Sequence, residues 1–536
     1  MGRSRSRAVV VYATLSLALW VLLGPLGLGA GIGLPNLDFL PRKRSSGNTR
    51  DYGIRTTSPD TNRLQNLKLT RMLSHAAGFS VIENLYWYNQ TYFFLTDQPW
   101  HFPDLTRVAN WDLSSQAHSE DEIAVKIWNI WLGPVSPEVQ EKHQLGSSIS
   151  LDDAEEMFAN PVVLDSPMMI NNDPKCESPP LPIFIFGRLG TLAVSPSPPP
   201  SPPASAKMNR STRYDASADR SAVYHWLGET FLGAWRVWSN YAYRTGLTLP
   251  NFKTVAFIKA WTRSELPPGT PNDLVWDDLP GANKWFTEKF FPGVTIEDRP
   301  IWEERAESGK IFLIPMAVIA DRRGGHWGPS AAWKPWGDVL RLPVSSNWLV
   351  NLRDRVLENY AGPFSLKRST RKPKLLYLSR QSAGRSLRDE DHDHLVIELQ
   401  KLHDEGLVDY EEVEFDKSIP FQDQVAKIST VDILVAVHGN GLTHTLWMSP
   451  GGYVFEMQPA GCTVTDYSPL AITNQIQHYM VHETTFCTPR DCPKRGCEKD
   501  AGINSDSIPL TPSVITNQIR LIVAGEAENE VDIPIR

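Results

Sequence analysis

The chain has 536 residues, a formal charge of −8, and 41% hydrophobic against 21% charged residues. That length allows more than one domain, and the composition is that of a globular protein with a sizeable core. The acidic balance excludes a chain built chiefly to grip nucleic acid, whose phosphate-facing surface would tilt it basic.

Residues 1–7 carry three arginines, and the run from Ala8 to Leu34 has no charge. This reads as a short cytosolic tail followed by a transmembrane signal-anchor over residues 8–34. The small residues at Gly27–Gly29 keep signal-peptide cleavage and secretion open as the alternative. In either case the body of the protein is expected on the luminal side. Two glycosylation sequons, Asn89-Gln90-Thr91 and Asn209-Arg210-Ser211, agree with that address. Residues 35–75 are polar and basic and read as a stem.

Residues 76–345 are expected to form a first α/β domain, opening on the aromatic, strand-like LYWYNQTYFFL. The proline tract 195–207 cannot build a core and is expected to be a surface insertion. At 224–238, YHWLGETFLGAWRVW has helical spacing, which puts His225 and Glu229 on one face. An imidazole oriented by a carboxylate can deprotonate a hydroxyl, although a buried histidine held by a helix carboxylate gives the same pattern. Residues 253–330 alternate strand-like and helical runs. Tryptophan is abundant, at 18 residues, mostly for the core, with indole faces also available for stacking on sugars.

Residues 346–536 are expected to form a second α/β domain. Its strand Lys374–Ser379 ends at Arg380, with Arg385 and Arg388 in the loop beyond, where guanidinium groups can clamp phosphate oxygens. The cluster Asp389-Glu390-Asp391-His392-Asp393-His394 contains Asp-x-Asp, but a loop precedes it rather than a buried strand. Its acidic residues suit the first turn of a helix over 391–404, so no metal site is assigned there. A helix beginning at Pro512 is expected to cover 512–523 and to pack back across the first domain.

The most informative stretch is 431–458, VDILVAVHGNGLTHTLWMSPGGYVFEMQ. A buried strand runs into His438-Gly439-Asn440-Gly441, a helical run follows to Met448, and a second strand reaches Glu456. Glycines allow close backbone approach, a helix start suits a diphosphate, and a carboxylate ending the next strand can accept from ribose hydroxyls. His438 could donate to a phosphate or leaving group. Of five cysteines, Cys462, Cys487, Cys492 and Cys497 lie late in the chain and Cys176 stands apart. Disulfides suit an oxidising compartment and their pairing stays open. A zinc site with His478 or His482 lacks the usual spacing.

The run Asp432-Ile433-Leu434-Val435, then His438-Gly439-Asn440-Gly441-Leu442-Thr443-His444 and a strand ending in Glu456, resembles the C-terminal signature of glycosyltransferase family 61. Asn440, where alanine is commoner, resembles its fungal branch. YHWLGETFLGAWRVW, LLYLSRQSAGRSLRDED near 375–391 and FQDQV at 421–425 are similar as well. The resemblance implies a GT-B fold, two facing Rossmann-like domains behind a transmembrane helix, and residence in the Golgi or endoplasmic reticulum membrane. It implies an inverting transfer of xylose or N-acetylglucosamine from a UDP-sugar to a glycan or glycoprotein, without a metal cofactor. Arg380, Arg385, His438, Gly439, Asn440, Gly441 and Glu456 would hold the donor, and His225 with Glu229 would serve the acceptor. A non-catalytic glycan-binding or scaffolding descendant is the alternative. A lipase reading of His-Gly-x-Gly fails, because no Gly-x-Ser-x-Gly follows.

Overall fold

In the computed structural model, two sheets organise the chain. The structure describes residues 67–97, 101–109, 126–132, 146–171, 224–258, 282–326, 338–345, 348–360, 372–382, 385–416, 418–492, 496–497 and 505–527. The expected tail, membrane span, proline tract and Asn209, and most of the expected stem, lie outside them, as does Cys176. Among the described residues no helix is long and apolar enough to cross a membrane.

The first sheet comprises β1 (Arg71–Ala76), β2 (Phe79–Tyr88), β3 (Thr91–Thr96), β4 (Lys126–Leu132), β5 (Gly146–Ile149), β6 (Val162–Val163), β7 (Met168–Asn171), β8 (Thr254–Phe257), β9 (Thr295–Glu297) and β10 (Phe312–Ala320). Its order is β5-β4-β3-β2-β10-β7-β8-β9, with β1 on β2 and β6 on β10. The long strand β2 is antiparallel to β1, β3 and β10, and the remaining pairings are parallel. Asn89 and Gln90 turn the β2–β3 hairpin with φ of 43° and 57°, the left-handed pair that a tight hairpin needs. The Asn89 sequon therefore stands exposed at a hairpin tip.

The fold starts earlier than the expected stem boundary at residue 75. Leu67 is buried and β1 pairs along β2. The order of RMLSHA comes from that pairing, which its own alternation does not announce.

Tyr224–Phe231, expected to be α-helical, winds as a π-helix before the α-helix Leu232–Thr245. Wider π turns often occur at functional sites. Gly246 ends the α-helix in the left-handed conformation.

The second sheet is built from β11 (Lys374–Leu378), β12 (Asp409–Val413), β13 (Ile433–Val437), β14 (Tyr453–Gln458), β16 (Gln477–His482) and β17 (Thr485–Cys487), with the short pair β15 (Cys462–Thr463) and β18 (Gly496–Cys497) beside it. The order β12-β11-β13-β14-β16-β17 is parallel except at β17. Its five parallel strands follow the doubly wound order 2-1-3-4-5, so the topological switch falls between β11 and β13. The central strands are apolar on both faces, as helices on both sides require.

Disulfides join Cys462 to Cys497 and Cys487 to Cys492, so the late cysteines are used in pairs. The acidic cluster opens the helix Asp389–Asp404, where Asp391 accepts from the Leu510 N–H at 3.1 Å. The last helix, Ser513–Ala524, packs on the second sheet rather than the first domain. Its Ile515 and Ile519 join Leu395, Leu399 and Leu402 in one cluster, and Gln518 donates to the Tyr479 hydroxyl at 3.1 Å. That helix presents its apolar stripe to the nearest uncovered one, on Asp389–Asp404.

A single hydrophobic cluster runs through both sheets. It takes in Phe79 and Val81 of β2, Phe231 and Trp238 of the helical segment, Leu376 and Leu378 of β11, and Leu434 of β13. Both sheets lie in one compact unit, Ser58–Arg536.

Candidate donor site at the sheet switch

Strands β11 and β13 diverge into opposite crossovers, so their carboxyl ends leave a crevice between them. Arg380 follows β11 and His438 follows β13. Arg380 Nη1 donates to the His438 carbonyl at 3.1 Å. A side chain at Gly439 would place its Cβ 1.5 Å from Arg380 Nη1 and 3.3 Å from Arg385 Nη1. Both guanidinium groups thus converge on this one backbone position. Burial pulls the Arg380 guanidinium below its ordinary value, and the Arg385 charge adds to that. Two cations held this close at a partly buried strand end make a place for an anion with paired oxygens.

The glycines were expected to let backbone approach a ligand. Instead they make room for the protein's own side chains. Gly439 accommodates Arg380 at φ 152°, and a Cβ on Gly441 would come within 2.6 Å of Leu378 Cδ2. The helix after the turn also differs from expectation. It starts at Asn440 and runs to Trp447 as a 3-10 helix. Asn474 Nδ2 closes its far end by donating to the carbonyls of Thr445 at 2.8 Å and Met448 at 3.0 Å.

Glu456 was expected to meet ribose hydroxyls. Its carboxylate is fully buried. Oε1 is hydrogen-bonded to His438 Nδ1, and Oε2 lies 2.8 Å from His478 Nε2, at ion-pair distance but off hydrogen-bond alignment. Burial by itself would raise the Glu456 carboxyl, but the two imidazoles outweigh it and hold it below the ordinary range. Glu456 therefore stands behind His438 rather than beside an open crevice. A half-buried carboxylate at this edge is Glu414, just past β12, which accepts from the Ser382 N–H at 3.2 Å and from its hydroxyl.

Tyr467 completes the surroundings of His438, its ring meeting the imidazole edge-on at 5.3 Å. Burial drives its phenol well above the ordinary range, with Asp466 adding to the rise. Tyr224, at the start of the π-helix, meets the Tyr467 ring at a tilt, 4.8 Å between centroids, and donates its hydroxyl to the Asp466 carbonyl at 3.0 Å. The Tyr224 N–H donates to Asn440 Oδ1 at 3.0 Å. The YHWLGET segment is thereby tied to the His-Gly-Asn-Gly turn.

Glu229 was expected to orient His225. It is buried and forms an ion pair with Arg322 at 2.6 Å, just beyond β10. The His225 side chain lies outside what the structure describes. His444 is a packing residue. Its Nε2 meets Gln424 Oε1 at 3.0 Å and its ring stacks on Phe421 at 5.4 Å, which joins FQDQV to the glycine turn. Burial lowers its imidazole to about 3.

The structure brings Arg380, Arg385, His438, Gly439, Asn440 and Gly441, singled out from the sequence, near one another. Sequence reasoning gave no role to Tyr224, Arg322, Glu414, Tyr467 or His478. For His478 a signal existed, since QHYMVH puts His478, Met480 and His482 on one face of a buried strand.

Residues 224–455 match the family model described as glycosyltransferase 61. The EGF domain-specific O-linked N-acetylglucosamine transferase of Drosophila melanogaster is 33% identical over 189 residues, which cover 34% of this chain and 32% of that protein. The match thus spans about a third of that relative's length. The family segment opens at the π-helix and closes on β14, enclosing both arginines and the glycine turn. Through residues 224–455, the stretch that holds both arginines and the glycine turn, the chain is similar to glycosyltransferase family 61.

Proposed function

We propose that the protein is an inverting glycosyltransferase of GT-B type that takes a UDP-sugar as donor. The observation that carries this reading is the convergence of Arg380 and Arg385 on Gly439 at the switch between β11 and β13. In the proposed reaction an acceptor hydroxyl attacks the anomeric carbon as the bond from that carbon to the diphosphate oxygen breaks. A base takes the hydroxyl proton, and UDP leaves with the added negative charge. Arg380 and Arg385 balance that charge on this reading, with His438 beside them, so turnover persists in a chelator. Glu414 takes the ribose role first expected of Glu456, since it ends the strand beside β11 at the sheet edge. His225 remains the proposed acceptor-side base.

N-acetylglucosamine is the proposed sugar, supported by the name of the Drosophila relative, with xylose the other candidate. A glycan or glycoprotein hydroxyl is the proposed acceptor, met in the Golgi or endoplasmic reticulum lumen by a type II anchored chain.

Calorimetric binding of UDP in EDTA, to wild type and Arg380→Ala, tests the donor assignment. Binding that survives the chelator and weakens at least about tenfold in the variant, the scale of one lost charge-assisted hydrogen bond, supports it. No UDP binding with or without divalent metal overturns it.

A further inference from the structure

Strands β13, β14 and β16 run in register, with Ala436 opposite Glu456 and Glu456 opposite Met480. His438, Glu456 and His478 therefore form a diagonal on one face of three adjacent strands. All three are buried, at 3%, 0% and 1% exposure. One carboxylate oxygen serves each imidazole. Neither nitrogen of the buried His478 ring has an aligned hydrogen bond among the described residues, and the nearest polar approach is from Nε2 to Glu456 Oε2, at an ion-pair distance of 2.8 Å. From this geometry we infer that His478 is a positioning residue of the donor site, acting through Glu456 to fix the orientation and tautomer of His438.

The physical chain is short. A buried carboxylate with only one partner would be costly and free to rotate. Two imidazoles on opposite oxygens fix its plane. A carboxylate on His438 Nδ1 keeps the proton there in the neutral ring, which leaves Nε2 to meet a ligand. The other groups around this chain are Tyr467 on the His438 ring, Arg380 on its carbonyl, and His482, which feels the Glu456 charge. The consequence for donor binding rests on the function proposed above; the tautomer does not.

The test compares His478→Phe with His478→Gln in the full-length protein. Glutamine keeps an N–H donor at similar reach and phenylalanine does not. The first readout is the imidazole nitrogen spectrum of His438 in alkaline buffer, assigned by its loss in His438→Asn. The second is the calorimetric affinity for UDP. Wild type and His478→Gln should show the Nδ1-protonated tautomer, and His478→Phe a mixture. UDP affinity should fall about tenfold in His478→Phe, the lower end for loss of a supporting partner, and should recover in His478→Gln. If His478→Phe keeps the wild-type spectrum, or both variants lose affinity alike, the inference is overturned. Should the phenylalanine variant not fold, His478→Met supplies the same contrast. If wild type binds no UDP, the donor reading fails while the spectra still decide the role of His478.

Discussion

The main-chain N–H of Tyr224 donates to the side-chain oxygen of Asn440 at 3.0 Å. These residues lie more than two hundred positions apart, and the bond fastens the start of the π-helix to the His-Gly-Asn-Gly turn. Asn440→Ala removes the acceptor and leaves a part-buried N–H without its partner. Urea unfolding should show a loss of about 1–3 kcal/mol. UDP affinity should change little, because the arginines and His438 do not depend on that amide. A large loss of affinity with unchanged stability would show that Asn440 touches the ligand.

Gly439 and Gly441 sit two residues apart and should fail differently when changed to alanine. At Gly439 the new methyl would displace Arg380 from its seat. UDP binding should drop by at least about tenfold, as for loss of a charge-assisted contact. At Gly441 the methyl meets Leu378, an apolar clash costing about 1–3 kcal/mol of stability. Parallel calorimetry and denaturant titration separate the two, and equal effects on affinity would contradict this division.

The Glu229–Arg322 pair is almost fully enclosed, with side-chain exposures of 1% and 11%. Removing one partner should strand the other charge. Arg322→Met is expected to cost about 3–5 kcal/mol, and the double variant Glu229→Gln with Arg322→Met markedly less. A double-mutant cycle measures the difference. Additive losses would mean that the two side chains act independently.

Acid should destabilise the fold before its carboxylates titrate. Burial holds His75 down to about 4, with Arg107 adding to the effect, and burial holds His444 down to about 3. Both rings are neutral when folded, whereas the unfolded chain takes up protons below about 6.5. Their contribution is complete above that pH and is lost as pH falls toward the folded values. Each ring should contribute a slope of about 1.4 kcal/mol per pH unit in that window. Denaturant titrations in neutral and mildly acidic buffer read the slope, which should flatten in His444→Gln.

The second sheet was largely legible from sequence. Lys374–Leu378 and Ile433–Val437 are short apolar runs flanked by punctuating residues, and the acidic first turn of Asp389–Asp404 announces a helix. Strand order is not local information, so the switch point emerged only from the pairing of β11 with both β12 and β13. The same limit explains Glu456. A strand-end carboxylate looks accessible in one dimension, and only its neighbours His438 and His478 show that it is covered. The π-helix at Tyr224–Phe231 has the residue spacing of an α-helix and gave no warning. Arg322 carries no motif, and its pairing with Glu229 depends on how two distant segments meet.

The cluster that joins Phe79 and Val81 to Leu376 and Leu434 limits how this molecule can move. Two jaws that open on a hinge need a wettable seam, and here that seam is core. Parting the sheets would expose oil to water, so heat should melt both together in one cooperative step. Either half expressed by itself should come out as aggregate. Any motion at the strand ends then falls to small sliding shifts and to the connections there, while the frame beneath stays rigid.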